Sequence, residues 1–162
     1  MKRVFILAMF CGALAGCASL FGPPPAPGDS AAVVEAKLGR PTNVYQDGPD
    51  TLLEYAMGPL GQYTWMARIG PDQRLRSYEQ VLTNAKFGTI KVGRDTKDSV
   101  LRIVGRPSKQ VRYYSVDGDV WQYRYKESDV WNSVMDVQFN RDGVVQALVN
   151  GPDEEREPRW LR

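Results

Sequence analysis

The chain has 162 residues, 21 of them basic and 19 acidic, with two cysteines and no histidine. That inventory leaves no disulfide framework, lacks the commonest metal ligand and general base, and gives no sustained positive field for a nucleic acid. A hydrophobic share of 43% points instead to a packed core, with no cofactor or metal and no nucleic-acid partner expected.

Lys2 and Arg3 precede an apolar run from Val4 to Ala13. The run is too short to span a hydrocarbon layer of about 30 Å, and it reads as a targeting segment. Leu14-Ala15-Gly16-Cys17 resembles the lipobox of bacterial lipoprotein precursors. The resemblance implies removal of residues 1–16 and acylation of Cys17. Ala18 in the next place, where an Asp would favour the inner membrane, implies the outer one. The expected location is therefore the periplasmic face of the outer membrane of a Gram-negative bacterium, with Cys17 as the lipid anchor. Loss of Lys2 and Arg3 with that segment brings the basic count from 21 to 19, equal to the acidic count.

Residues 17–28 contain Pro23-Pro24-Pro25-Ala26-Pro27, an extended spacer by composition. A first unit is expected over 29–80. Asp29 or Ser30 can cap a helix that carries Val34 and Leu38 and stops at Gly39-Arg40-Pro41. Short strands follow at Thr42–Tyr45 and Leu52–Tyr55, turned by Asp47-Gly48. Gly58-Pro59-Leu60-Gly61 reads as a loop. Tyr63–Ile69 alternates as a half-buried strand, and Arg74–Glu79 returns beside it.

A second unit is expected over 81–150. Thr83 or Asn84 opens a helical turn bearing Phe87 and Ile90. Thr96 caps a second helix with Val100 and Val104, stopped by Gly105-Arg106-Pro107. Strands are expected at Gln110–Tyr114, Val120–Tyr125, Val134–Phe139 and Val144–Val149. Ser30 and Thr96 stand 66 residues apart, Leu53 and Trp121 stand 68, and Trp65 and Met135 stand 70. The chain therefore reads as a tandem repeat with short insertions. Residues 151–162 are charged and read as a disordered tail.

The fold class that follows is α+β: two tandem repeats, each a short helix or helix pair on an antiparallel sheet of about four strands, in two layers. Val34 and Leu38 should pack on Trp65, Ala67 and Ile69, and Val100 and Val104 on Met135, Val137 and Phe139. The paired sheets should offer a continuous outward surface.

Leu82-Thr83, Ile90-Lys91-Val92-Gly93, Val104-Gly105-Arg106-Pro107, the aromatic strand Trp121–Tyr125 and Phe139–Gly143 follow one another in an order that resembles the SmpA/OmlA, or BamE-like, domain of outer-membrane lipoproteins. The likeness covers roughly residues 81–149. It implies a protein-interaction module that acts as an accessory to outer-membrane β-barrel assembly or envelope maintenance. Its partner would be the barrel-assembly complex or another envelope protein. The tandem order of helix and sheet also resembles the β-lactamase inhibitory protein, which implies the competing reading, a module that clamps a periplasmic enzyme. That protein has disulfides, which this chain cannot form.

A catalytic reading has little to build on. Ser99 and Ser108 have no histidine to activate them, and Asp95 and Asp98 flank a helix start, where a dipole favours negative charge. The chain is not expected to be an enzyme, and no catalytic residue is assigned. Tyrosine and tryptophan dominate binding hot spots. Arg76, Tyr78, Arg112 and Tyr114, on strands expected to face outward, are the candidate contacts with a partner.

Overall fold

The structure is a computed structural model and describes residues 22–57 and 61–156. The expected signal segment, Cys17, most of the 58–61 loop and residues 157–162 of the expected tail lie outside the described residues. Among the described residues no helix is long and apolar enough to cross a membrane.

Two four-stranded antiparallel sheets form, each in sequential strand order, with short helices beside them. In the first unit, helix α1 (Ala31–Leu38) precedes β1 (Asn43–Asp47), β2 (Asp50–Met57), β3 (Tyr63–Ile69) and β4 (Leu75–Gln80). In the second, α2 (Asn84–Phe87) and α3 (Lys97–Val104) precede β5 (Lys109–Val111), β6 (Val120–Glu127), β7 (Trp131–Phe139) and β8 (Val145–Pro152). Fold class and repeat-like pairing agree with the sequence.

The caps are the expected ones. Ser30 Oγ accepts from Val33 N–H, Thr83 from Lys86 N–H and Thr96 from Ser99 N–H, each satisfying a donor that the first helical turn leaves free. Both eight-residue helices end on a glycine of nearly the same shape. Gly39 has φ +81° and ψ −163°, Gly105 φ +77° and ψ −162°. The φ is positive as expected, but the ψ is extended rather than left-handed helical, a region open essentially to glycine alone. The chain therefore leaves each helix sharply and enters the first strand of its sheet.

Each helix covers one face of its own sheet. Val34 packs with Ala67 and Ile69, with Leu38 and Trp65 at the edge of the cluster. Val100 and Val104 pack with Met135, Val137 and Phe139, joined by Phe87, Tyr123 and Tyr125. The Phe87 ring meets Tyr123 and Tyr125 edge-on, with centroids 5.8 and 5.1 Å apart. Among the described residues the second core holds twelve buried side chains and the first six. The second unit is thus the heavier one.

The sheets do not offer one continuous outward surface. The second face of the first sheet is buried: Leu52, Met66 and Val81 form a small cluster, Glu54 is fully buried and Thr64 nearly so. This face receives α3 and its glycine stop from the second unit. Among the described residues nothing covers the second sheet in this way, and its outer face is open.

Three further expectations are corrected. Residues of the proline spacer are docked: Pro25 is buried, and Gly28 N–H donates to Leu75 O at the start of β4. The strand expected at Gln110–Tyr114 stops at Val111, because the chain turns away into a 112–119 loop. The charged tail expected from 151 begins inside β8, and Asp153 is buried beside Arg124 and Arg156 (3.2 and 3.4 Å), ion pairs that composition alone does not reveal.

Candidate functional site

The joint between the units centres on one buried acid and one helix stop, and Gln62 Nε2 also donates from the first unit to Asn132 Oδ1 of the second at 2.9 Å. In β2, Glu54 lies between Leu53 and Tyr55, which face α1, so its own side chain points the other way. Its carboxylate accepts from Asn43 Nδ2 at 2.9 Å, from the Tyr45 hydroxyl at 2.6 Å and from the backbone N–H of Arg106 at 3.0 Å. Three donors offset the cost of burying the charge. Burial and the neighbouring carboxylate push the Tyr45 phenol well above its ordinary value. A Cβ on Gly105 would stand 2.9 Å from Glu54 Oε1 and 3.2 Å from Thr64 Cγ2. Gly105 is therefore required twice, for its φ and for this approach. From β6, the Tyr123 hydroxyl donates to Gly105 O at 3.0 Å and holds the stop from its own side. Tyr55, at the matching place in the first unit, has a buried hydroxyl without a partner among the described residues.

Beside the joint lies a cleft of about 330 Å³ lined by Asp47, Arg68, Ser77, Glu79, Lys86 and Arg102 among others. Its charges answer one another: Arg68 pairs with Asp47 at 2.7 Å and Asp50 at 3.1 Å, and Lys86 with Glu79 at 2.7 Å. Ser99 on its wall is engaged in the capping of α3 with Thr96. The Ser108 hydroxyl donates to Gln122 O at 2.7 Å. These groups hold structure, and none pairs a nucleophile with a base.

The open face of the second sheet carries the other cleft, about 420 Å³, with Lys109, Tyr113, Gln122, Val134, Asp136 and Val149 on its walls. Gln122 Nε2 donates to the Tyr113 hydroxyl at 3.1 Å and to Asp136 at 3.0 Å. Burial holds the Asp136 carboxyl above its ordinary value. Arg124 at the rim is drawn toward Asp153 and Glu155.

The four candidate contacts do not share one surface. Arg76 and Tyr78 are two apart on β4 and should face the same way, but the β3–β4 register shifts at Arg68/Ile69 and leaves Arg76 as the extra residue. Arg76 Nε accordingly sits 3.6 Å from Asp50, while Tyr78 turns to the α1 side and stacks on Trp65, centroids 4.7 Å apart. Arg112 and Tyr114 stand on the 112–119 loop, not on a strand. Arg112 donates to Asp119 at 2.8 Å, and Tyr114 is fully exposed. The sequence reading missed Glu54, although the run Leu52-Leu53-Glu54-Tyr55 carries a signal. A strand apolar at successive positions is buried on both faces, and an acid inside it needs donors.

Residues 79–148 match the model of the outer membrane protein assembly factor BamE domain. No curated protein matches the chain. Among solved structures, a DUF4309 family protein (YjgB) from Bacillus subtilis subsp. subtilis str. 168 is 13% identical over 77% of this chain and 79% of that one, with a TM-score of 0.33, and nothing below rests on it. The matched residues run from the end of β4 through α2, α3 and the second sheet into β8, so the similarity to the BamE domain falls on the second unit.

Proposed function

We propose that the protein is a non-enzymatic interaction module of the bacterial outer membrane, anchored on the periplasmic face through an acylated Cys17, that serves barrel-protein assembly or envelope maintenance. The observation that carries the reading is the BamE domain match over 79–148, which coincides with the unit that has the larger core and the open sheet face. The lipobox-like Leu14-Ala15-Gly16-Cys17 supports the anchor independently. Several acyl chains hold a protein stably where one chain does not. Arg112 and Tyr114, on the exposed loop beside the open cleft, are the better placed of the four candidate contacts.

Affinity purification from crosslinked membranes tests the role. Recovery of the barrel-assembly complex is the expected result. A single periplasmic hydrolase in stoichiometric yield would instead establish the inhibitor-like reading. Intact-mass measurement of the membrane-extracted protein should show an acylated N-terminus at Cys17, and a soluble product starting elsewhere would remove the anchor.

A further inference from the structure

The two units match at the level of single hydrogen bonds. Asn43 pairs in register with Glu54, and Lys109 with Gln122. Thr42 N–H donates to Glu54 O at 2.7 Å, and Ser108 N–H to Gln122 O at 2.9 Å. Thr42 Oγ1 accepts from Ala56 N–H, and Ser108 Oγ from Arg124 N–H. The receptor for a helix stop on the first sheet, Glu54 and Thr64, therefore has a counterpart on the second sheet in Gln122 and Val134; Tyr45 corresponds in register to Val111, and the hydroxyl that meets Gln122 comes instead from Tyr113 on the following loop. The stop that fills the first receptor, Gly105-Arg106, likewise has a counterpart in Gly39-Arg40, of nearly the same backbone shape.

Among the described residues, only one of the two receptors is filled. Gly39 and Arg40 are exposed, and the second sheet's cleft is open. Gln122 uses its amide N–H groups on Tyr113 and Asp136, and among the described residues no donor reaches its Oε1. That oxygen stands where Glu54 accepts a backbone N–H. The helix surfaces agree. On α3, Ser99, Arg102 and Ile103 line the cleft against the first sheet. The corresponding places on α1 are Val33, Ala36 and Lys37, and Val33 is 40% exposed. AAVVEAKL is apolar nearly all round, the pattern of a helix covered on both sides. Val149, 49% exposed, lies across the open cleft.

The geometry points to a second copy of this chain as the occupant: the Gly39-Arg40 stop and outer face of α1 of one molecule seat on the open sheet face of the next, as α3 and its stop seat on the first sheet within the chain. The interface is heterologous, with different patches on the two partners, so it builds head-to-tail chains and not a closed pair. It is independent of the envelope role proposed above.

Sedimentation velocity on the full chain in detergent, over a range of concentrations, tests this. Wild-type protein should form a ladder of oligomers. Val149→Arg, on the sheet face, and Val33→Asp, in the first turn of α1 where an acid suits the helix dipole, should each be monomeric alone. Mixed, they should give a 1:1 dimer and nothing larger, since one live stop meets one live receptor. Val134→Arg is the second receptor variant, and circular dichroism melts confirm that each variant is folded. A wild-type monomer at every concentration would overturn the proposal. So would folded single variants that still assemble, a mixture that stays monomeric, or a photo-crosslinker at 134 that captures only a different protein.

Discussion

The carboxylate of Glu54 in β2 accepts the backbone N–H of Arg106 just past α3, across 3.0 Å and between the two sheet-forming units. Replacing Glu54 with Ala strands three donors in a buried joint: the Asn43 amide, the Tyr45 hydroxyl and the Arg106 amide. An unmet buried group loses roughly 1–3 kcal/mol. Glu54→Ala should therefore lower unfolding stability by about 3 kcal/mol or more, and Glu54→Gln by less, since one acceptor oxygen is kept. Urea titration followed by circular dichroism measures both, and equal losses would show that the carboxylate is not the shared acceptor.

The two glycine stops separate backbone strain from contact. Gly39→Ala and Gly105→Ala face the same positive φ, at a cost of about 1–3 kcal/mol for a residue held in such a region. Nothing lies within 4 Å of a Cβ at Gly39, whereas one at Gly105 meets Glu54 and Thr64. Gly105→Ala should be clearly the more destabilising in chemical denaturation. Matching midpoints would mean that the joint yields without loss.

Fragments should show a hierarchy. The second unit carries the larger core, while the first, alone, would expose Leu52 and Met66 and leave Glu54 without Arg106. Residues 79–156 should fold, with the C-terminal limit set by the buried Asp153, and residues 22–80 should not. Circular dichroism melts of both fragments decide it. A cooperative melt from the shorter fragment with none from the longer would reverse the order.

Two carboxyls should respond to pH with opposite sign. Hydrogen bonds from Ser133, Asn150 and Asn84 hold Glu127 below its ordinary value. Its contribution is present above the unfolded pKa, near 4, and is lost as pH falls through the folded one. Asp136 is raised, chiefly by burial. The native state then binds the proton more tightly, so stability from this group falls as pH rises from the unfolded value through the folded one. Glu127→Gln should destabilise at pH 7 and much less at pH 3. Asp136→Asn should stabilise at pH 7 and do little at pH 3. Urea midpoints at the two pH values check both, and parallel shifts for the two variants would contradict the assigned environments.

What was legible in the sequence was local. Ser30, Thr96, Gly39 and Gly105 mark their helices because capping and positive φ depend on a few neighbouring residues. Val100, Val104, Met135 and Val137 declare a core through period alone. The face shared by Arg76 and Tyr78 failed because one bulge residue reverses parity. The sequence overstates the length of β5 because Tyr113 and Tyr114 have strand propensity, which the 112–119 loop overrides. The joint was hidden for a different reason: Glu54 and Arg106 are 52 residues apart, and a polar residue amid a strand ordinarily reads as facing water.

The donor that reaches Glu54 from the second unit is a main-chain amide, not a side chain. Every residue except proline brings that amide to position 106, so the joint constrains the acid at 54 and the glycine at 105 while leaving the arginine between Gly105 and Pro107 free to drift. Two copies of such a unit can diverge widely in surface chemistry and still clasp in the same way, since the link to the buried acid is made by backbone shape.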